Sequence, residues 1–174
     1  MIEVETKEVN NINQQVTEEA FLIEHSGELP EVAYYNSIYY LCEDKEGPKL
    51  KLSERELLLL KKAVIKQYLR IIKRDLTPSN KNKRIYRGIE RAWVNWKRLL
   101  NFTKKFNLDI TKAKKIVQKE LISFLEHETN ELILGKRVTF NISKKELIDF
   151  LNSLEIEHVI DKKIKDNLYP ILKD

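Results

Sequence analysis

Four arginines recur at helical spacing in the segment 83–106, which reads KRIYRGIERAWVNWKRLLNFTKKF. Guanidinium groups bind phosphate through paired, planar hydrogen bonds, so a row of arginines on one helix face is suited to a polyanion. A helical wheel at about 100° per residue gathers these arginines with one asparagine on a narrow stripe. The candidate nucleic-acid or polyanion contacts are Arg84, Arg87, Arg91, Asn95 and Arg98. The alternative interpretation of the same stripe is an ordinary solvated helix face.

The distribution of charge along the chain favours a polyanionic partner. The net charge is +5 over 174 residues. Residues 1–48 carry −9, residues 61–119 carry +16 and residues 120–174 carry −3. Solvated faces usually mix both signs, whereas 61–119 has 19 basic residues and only three acids. Such segregation indicates an interaction with nucleic acid or with an acidic protein.

Tyrosines near the N-terminus offer a second type of nucleic-acid contact, because aromatic rings stack on unpaired bases. The competing interpretation is that most of these rings pack in the core. No zinc finger, RNP signature or helix-turn-helix with a glycine turn accompanies them. The four rings are Tyr34, Tyr35, Tyr39 and Tyr40.

Residues that could carry catalysis are sparse. Glycines at positions 27, 47, 88 and 135 cannot form a phosphate-binding loop or a dinucleotide-binding turn. The sequence EIEH at 155–158 resembles one element of a di-iron site, which needs a second such element. His127 begins a zincin-like HExx pattern that has Glu131 in place of the second histidine. Cys42 lies in an apolar segment and is typical of a small buried side chain. We therefore expect no catalytic residue, metal or cofactor.

The elements that position the arginines are helices with clear starting signals. The sequences SERE at 53–56 and SKKE at 143–146 are capping boxes, in which the serine and the glutamate exchange hydrogen bonds with backbone amides. Pro78 disfavours helix at the residue before it and ends the first helix near Asp75. Asp109 or Thr111 caps a later one. Helices are predicted near 54–75, 84–106, 110–128, 144–154 and 159–168.

The wheel for 84–106 places Trp93 and Trp96 opposite the arginines, so this helix should bury one face. Gly88 lies inside the predicted helix at a cost of about 1 kcal/mol relative to alanine, which a closely passing backbone would explain. Val138, Phe140 and Ile142 alternate with polar residues, as in a short strand. Residues 30–42 fit a helix or a strand at 37–42, so a short two-stranded element remains open.

The fold class predicted is mainly α, a single-domain helical bundle of about five to six helices. Residues 1–19 form a loose acidic arm and residues 20–174 the domain. No run of 18 apolar residues predicts a membrane span. Without a visible secretory signal the expected location is cytoplasmic. The sequence leaves the oligomeric state open.

The function expected is that of a non-enzymatic module that contacts nucleic acid through residues 61–119. The alternative is a helical protein–protein interaction or assembly module that binds an acidic partner through the same surface. An enzyme with an unrecognised site is the least favoured class.

Overall fold

The computed structural model describes residues 54–84 and 87–174, with side chains from Lys61 onward except that of Ala63. The arm at 1–19, the helix or strand at 30–42 and the serine of the first capping box lie outside the described residues. The chain divides into two compact units, Met1–Lys66 and Gln67–Asp174, with the boundary inside the first helix. The packing described below is that of the second unit.

The described residues form a mainly α fold, as predicted, and none of them is in a strand. Two short 3-10 turns, Pro78–Asn80 and Tyr169–Ile171, each contain one of the helix-stopping prolines. The helices are α1 (Glu54–Asp75), α2 (Gly88–Lys105), α3 (Thr111–Ile133), α4 (Lys144–Ser153) and α5 (Lys162–Leu168).

Helix α2 begins at Gly88, about one turn later than predicted. Gly88 has φ of +79°, a left-handed conformation that glycine adopts readily and that costs other residues about 1–2 kcal/mol. Arg87 before it is the N-cap residue, with φ of −122° and ψ of −11°. Gly88 is therefore explained by its own backbone conformation, and the prediction of a glycine inside the helix was wrong.

Helices α2, α3 and α4 end in the same way. In each, the residue after the C-cap is left-handed, and the next amide bonds to the carbonyl five residues back, which is the Schellman motif. The left-handed residues are Asn107, Gly135 and Glu155. The amide bonds are Leu108 N to Thr103 O at 2.8 Å, Lys136 N to Glu131 O at 3.0 Å and Ile156 N to Leu151 O at 3.0 Å.

Side chains also fix the starts of α3 and α4. The capping box at α4 is present: the Ser143 hydroxyl accepts from the Glu146 amide at 3.1 Å, and the Glu146 carboxylate accepts from the Ser143 amide at 3.0 Å. At α3 the acceptor is Asp109, whose Oδ1 receives the Thr111 amide at 2.9 Å and hydroxyl at 2.7 Å. Both hydrogen bonds lower the pKa of the Asp109 carboxyl, and the bond from the Thr111 amide has the larger effect.

The predicted strand at 138–142 was wrong: residues 138–140 are irregular and 141–142 form a bend, without strand pairing. Its alternation is genuine, because Val138 and Phe140 are half-buried and Ile142 is buried, while Thr139 and Asn141 between them are exposed. A strand also needs a partner for its backbone groups, and no described segment supplies one. Alternating burial here reflects one side of a connection that packs on the helices.

Trp96 is at the centre of the core and is fully buried. Its Nε1 donates to Ser153 Oγ at 3.0 Å, and that hydroxyl donates to the Phe150 carbonyl at 2.6 Å. The Trp93 ring stacks on Phe150 with centroids 5.0 Å apart. The apolar face predicted for α2 therefore packs against α4.

Helix α3 completes this core. Its buried side includes Val117, Leu121 and Phe124, on the face predicted from their spacing. Gln118 Nε2 donates to the Leu154 carbonyl at the end of α4 at 2.6 Å. Helix α3 also contacts α5. With the apolar side of α2 committed to packing, its opposite side is exposed.

Candidate nucleic-acid interface

The exposed side of α2 is basic. Arg91 and Arg98 are exposed and lie seven residues apart, so they fall within about 20° of each other on the helix. Lys105, seven residues further on, continues the same stripe. Glu90 is the acidic residue of this side. We call the basic face of α2 the set of exposed residues Arg91, Lys97, Arg98, Lys104 and Lys105.

The structure does not place all five candidate residues on this helix face. Arg84 and Arg87 precede the helix: Arg84 is exposed in the connection, and Arg87 is half-buried at the N-cap. Arg87 Nη1 donates to the Arg84 carbonyl at 3.4 Å. Asn95 is buried, with Nδ2 donating to the Arg91 carbonyl at 2.9 Å. The prediction of a single stripe was therefore wrong for Arg84, Arg87 and Asn95. The helix starts after the two arginines, and Asn95 lies toward the packed side.

A buried carboxylate fixes the connection between α1 and α2. Asp75 ends α1 and is fully buried. Its oxygens accept from Arg74 Nε at 3.0 Å and Nη2 at 3.1 Å, and Oδ1 accepts from the Arg87 amide at 2.9 Å. Burial raises the pKa of the Asp75 carboxyl, against the lowering effects of Arg74, of the Arg87 amide and of the Arg91 charge. Asp75 thus provides the acceptor for the Arg87 amide at the start of α2, where the helix dipole favours negative charge.

The exposed charge between residues 67 and 119 is predominantly basic. Between residues 67 and 119, thirteen of the sixteen basic residues are exposed, while the only exposed acids are Glu90 and Asp109. Glu120, just beyond this range, lies 3.9 Å from Lys73. Surface pairs at such a distance contribute at most about 1 kcal/mol and are screened by salt. Most of these cations are therefore accessible to a partner.

A second buried carboxylate lies beside the α1–α2 connection. Glu128 of α3 is fully buried and forms an ion pair with Lys81, while His127 Nδ1 lies 3.7 Å from its Oε1. Lys81 Nζ is also 5.9 Å from the centroid of the Phe124 ring. Glu128 follows Phe124 by four residues and Leu121 by seven, so a helical wheel would have revealed its burial.

Lys81 forms part of a basic cavity of about 420 Å³. The cavity lies where the α1–α2 connection and the first residues of α2 meet α3 and the chain segment that follows it. No acid is among its described lining residues. The basic cavity is lined by Lys81, Arg87, Gly88, Ile89, Phe124, Arg137, Val138, Thr139, Phe140 and Asn141. Sequence reasoning missed Arg137, because its proximity to Arg87 depends on tertiary packing.

The histidine motifs do not assemble in the described residues. His127 and His158 are both exposed, and Glu155 pairs with Lys114 at 3.2 Å. Within residues 54–84 and 87–174, no group of three His, Cys, Asp or Glu side chains is arranged to hold a metal ion. Nor is any described helix both long and apolar enough to cross a membrane.

Comparison with known proteins yields one family. The family model described as a repeat of unknown function (DUF7826) matches residues 11–156, which is most of the chain. No curated protein and no solved structure shows significant similarity.

Proposed function

Since the chain belongs to this family of repeats, whose description assigns no activity, we propose from geometry that it binds nucleic acid without catalysing a reaction. The contact surface is the basic face of α2 together with Arg84 and Arg87 at its start. The observation that carries the proposal is the imbalance of exposed charge between residues 67 and 119. Binding to a phosphate backbone is driven by release of its condensed counterions.

The form of the surface supports a phosphate backbone as the ligand. Arg91 and Arg98 project from one rigid helix whose other side is anchored by Trp93 and Trp96. Arginine guanidinium groups match phosphate geometry and remain charged at any physiological pH. The basic face of α2 offers no row of base-reading amides, since Asn95 is buried and, of the amide side chains on this helix, Asn101 alone is exposed. We therefore expect binding to tolerate many sequences.

Replacing Arg91 and Arg98 together with glutamine tests the proposal. Two lost phosphate contacts should flatten the plot of log K against log salt by roughly two units for double-stranded DNA and by about 1.4 for a single strand. The readout is fluorescence anisotropy of labelled DNA and RNA across a salt series. Stability should change little, because both residues are exposed.

The matched control replaces Lys162 and Lys163 of α5, also exposed, with glutamine. This variant has the same net charge and should retain the wild-type salt slope. If the two double substitutions had equal effects, binding would depend only on net charge, which would contradict a specific role for the basic face of α2. Absence of wild-type binding to DNA or RNA at low salt, with binding to an acidic protein instead, would favour the assembly module.

A further inference from the structure

The basic cavity combines cations with an aromatic wall. Lys81 and Arg87 contribute positive charge from the α1–α2 connection, and Arg137 contributes it from the segment that follows α3. Phe140 is half-buried and meets Phe124 edge to face, with ring centroids 6.0 Å apart. Its volume of about 420 Å³ lies within the roughly 300–1,000 Å³ range of small-ligand sites. The lining thus offers donors for an anion beside a ring for a planar group.

Two of the three cations, Lys81 and Arg87, are held in place by groups outside the lining. The buried Glu128 carboxylate pairs with Lys81. The Arg87 amide is fixed by Asp75, and its guanidinium bonds to the Arg84 carbonyl. Because side-chain ordering costs free energy on binding, cations that are already positioned favour a ligand. No described carboxylate forms an ion pair with Arg137, which is exposed at the cavity.

We propose that the basic cavity binds a nucleotide through its terminal phosphate, with the phosphate between Lys81, Arg87 and Arg137 and the base against Phe140. A phosphate monoester carries more charge than the diesters inside a strand, so it benefits most from three converging cations. Its source is either a free mononucleotide or the phosphorylated end of a strand. For a strand end the inference rests on the proposed function, because the remaining nucleotides would follow the basic face of α2.

The test uses the full chain and a 12-nucleotide labelled single strand with a 5′-phosphate, a 3′-phosphate or hydroxyl ends. AMP and inorganic phosphate are titrated separately by calorimetry. Arg137→Gln removes a cavity cation outside the basic face of α2, and Lys145→Gln is the charge-matched control at an exposed position. Phe140→Leu removes the ring and keeps an apolar side chain.

For a strand end, we expect one phosphorylated strand to bind roughly tenfold more tightly than the hydroxyl strand, as suits one charge-assisted pair. Arg137→Gln should abolish this preference and leave binding of the hydroxyl strand intact, while Lys145→Gln preserves both. For a free nucleotide, AMP should bind more tightly than inorganic phosphate. Arg137→Gln should weaken AMP binding, and Phe140→Leu should remove the advantage over inorganic phosphate.

The remaining outcomes separate this inference from the proposed function. Strands that bind equally whatever their ends, with no AMP binding, would overturn the cavity site and leave the basic face of α2 in place. AMP binding that is lost in Arg137→Gln, without binding of any strand, would support the cavity and reject the nucleic-acid surface. If neither strands nor AMP bind, both proposals are wrong.

Discussion

Replacing Asp75 with alanine should lower the free energy of unfolding by about 3 kcal/mol. Removing one partner of a buried ion pair typically costs about 3–5 kcal/mol. The lower end applies because the Arg74 side chain retains 11% exposure and can regain some hydration. The Arg87 amide at the N-cap of α2 loses its acceptor as well. The connection that carries Lys81, Arg84 and Arg87 should loosen with it.

Asparagine at the same position should cost less, about 1–2 kcal/mol, since only hydrogen bonds to Arg74 are degraded while an oxygen remains for the Arg87 amide. The raised pKa of Asp75 also predicts that a neutral asparagine is tolerated better than alanine, because burial there disfavours the charged form of the carboxyl. The unfolded chain therefore releases the Asp75 proton at a lower pH than the folded protein does. The stability of wild type relative to Asp75→Asn should fall as pH rises from about 3.8 toward the higher folded-state pKa, and then level off.

Urea unfolding followed by tryptophan fluorescence measures both effects, because Trp93 and Trp96 are the only tryptophans and both are buried in α2. Asp149→Ala, at an exposed position on α4, is the control. An Asp75→Ala loss below 1 kcal/mol, no larger than that of the control, would refute the anchoring role. A relative stability that rises through the pH window would refute the assigned direction of the pKa.

Three further predictions concern the helix ends and the N-terminal segment. Ser143→Ala should lower unfolding free energy by about 1 kcal/mol in urea unfolding; no change would show that the capping box is energetically idle. Glu155→Gly should be more stable than Glu155→Gln by about 1 kcal/mol, because both lose the Lys114 pair but only glycine relieves the φ of 59°; equal melting temperatures would contradict this. Deleting residues 1–19, with five acids, should strengthen binding to heparin or DNA, whereas unchanged or weaker binding by the folded truncation would reject neutralisation by this segment.

Much of the helical architecture could be predicted because its signals are local. The SKKE capping box, the proline after α1 and the apolar spacing of α3 act within a few residues of the helices they define. Helix α1 ends at the predicted residue, Asp75, and α4 begins at Lys144 as expected. The pattern at 138–142 misled because alternation reports which side is buried, whereas a strand also requires a partner for its backbone.

The candidate site was less predictable, because it depends on contacts between residues that are distant in the sequence. The wheel assumes an uninterrupted helix over residues 84–106. The helix begins instead at the left-handed Gly88, so Arg84 and Arg87 precede it. Asn95 lies only about 40° from Arg91 on the helix. Whether Asn95 is exposed therefore depends on where the packed surface ends, and in the structure it is buried. The basic cavity depends on Arg137 approaching the start of α2 from beyond α3. No pattern within a short window encodes that approach.

The helices, the segregation of charge and the apolar face that carries Trp93 and Trp96 are all predictable from the order of the amino acids. These follow from backbone propensity and side-chain polarity, which act residue by residue. Which charges reach the surface depends instead on how the helices pack. Packing buried Asp75 beside Arg74 and Glu128 beside Lys81, because a carboxylate leaves water only where positive groups converge on it. Each buried carboxylate is matched by a cation, and the exposed charge of α2 and its neighbouring connection remains predominantly positive.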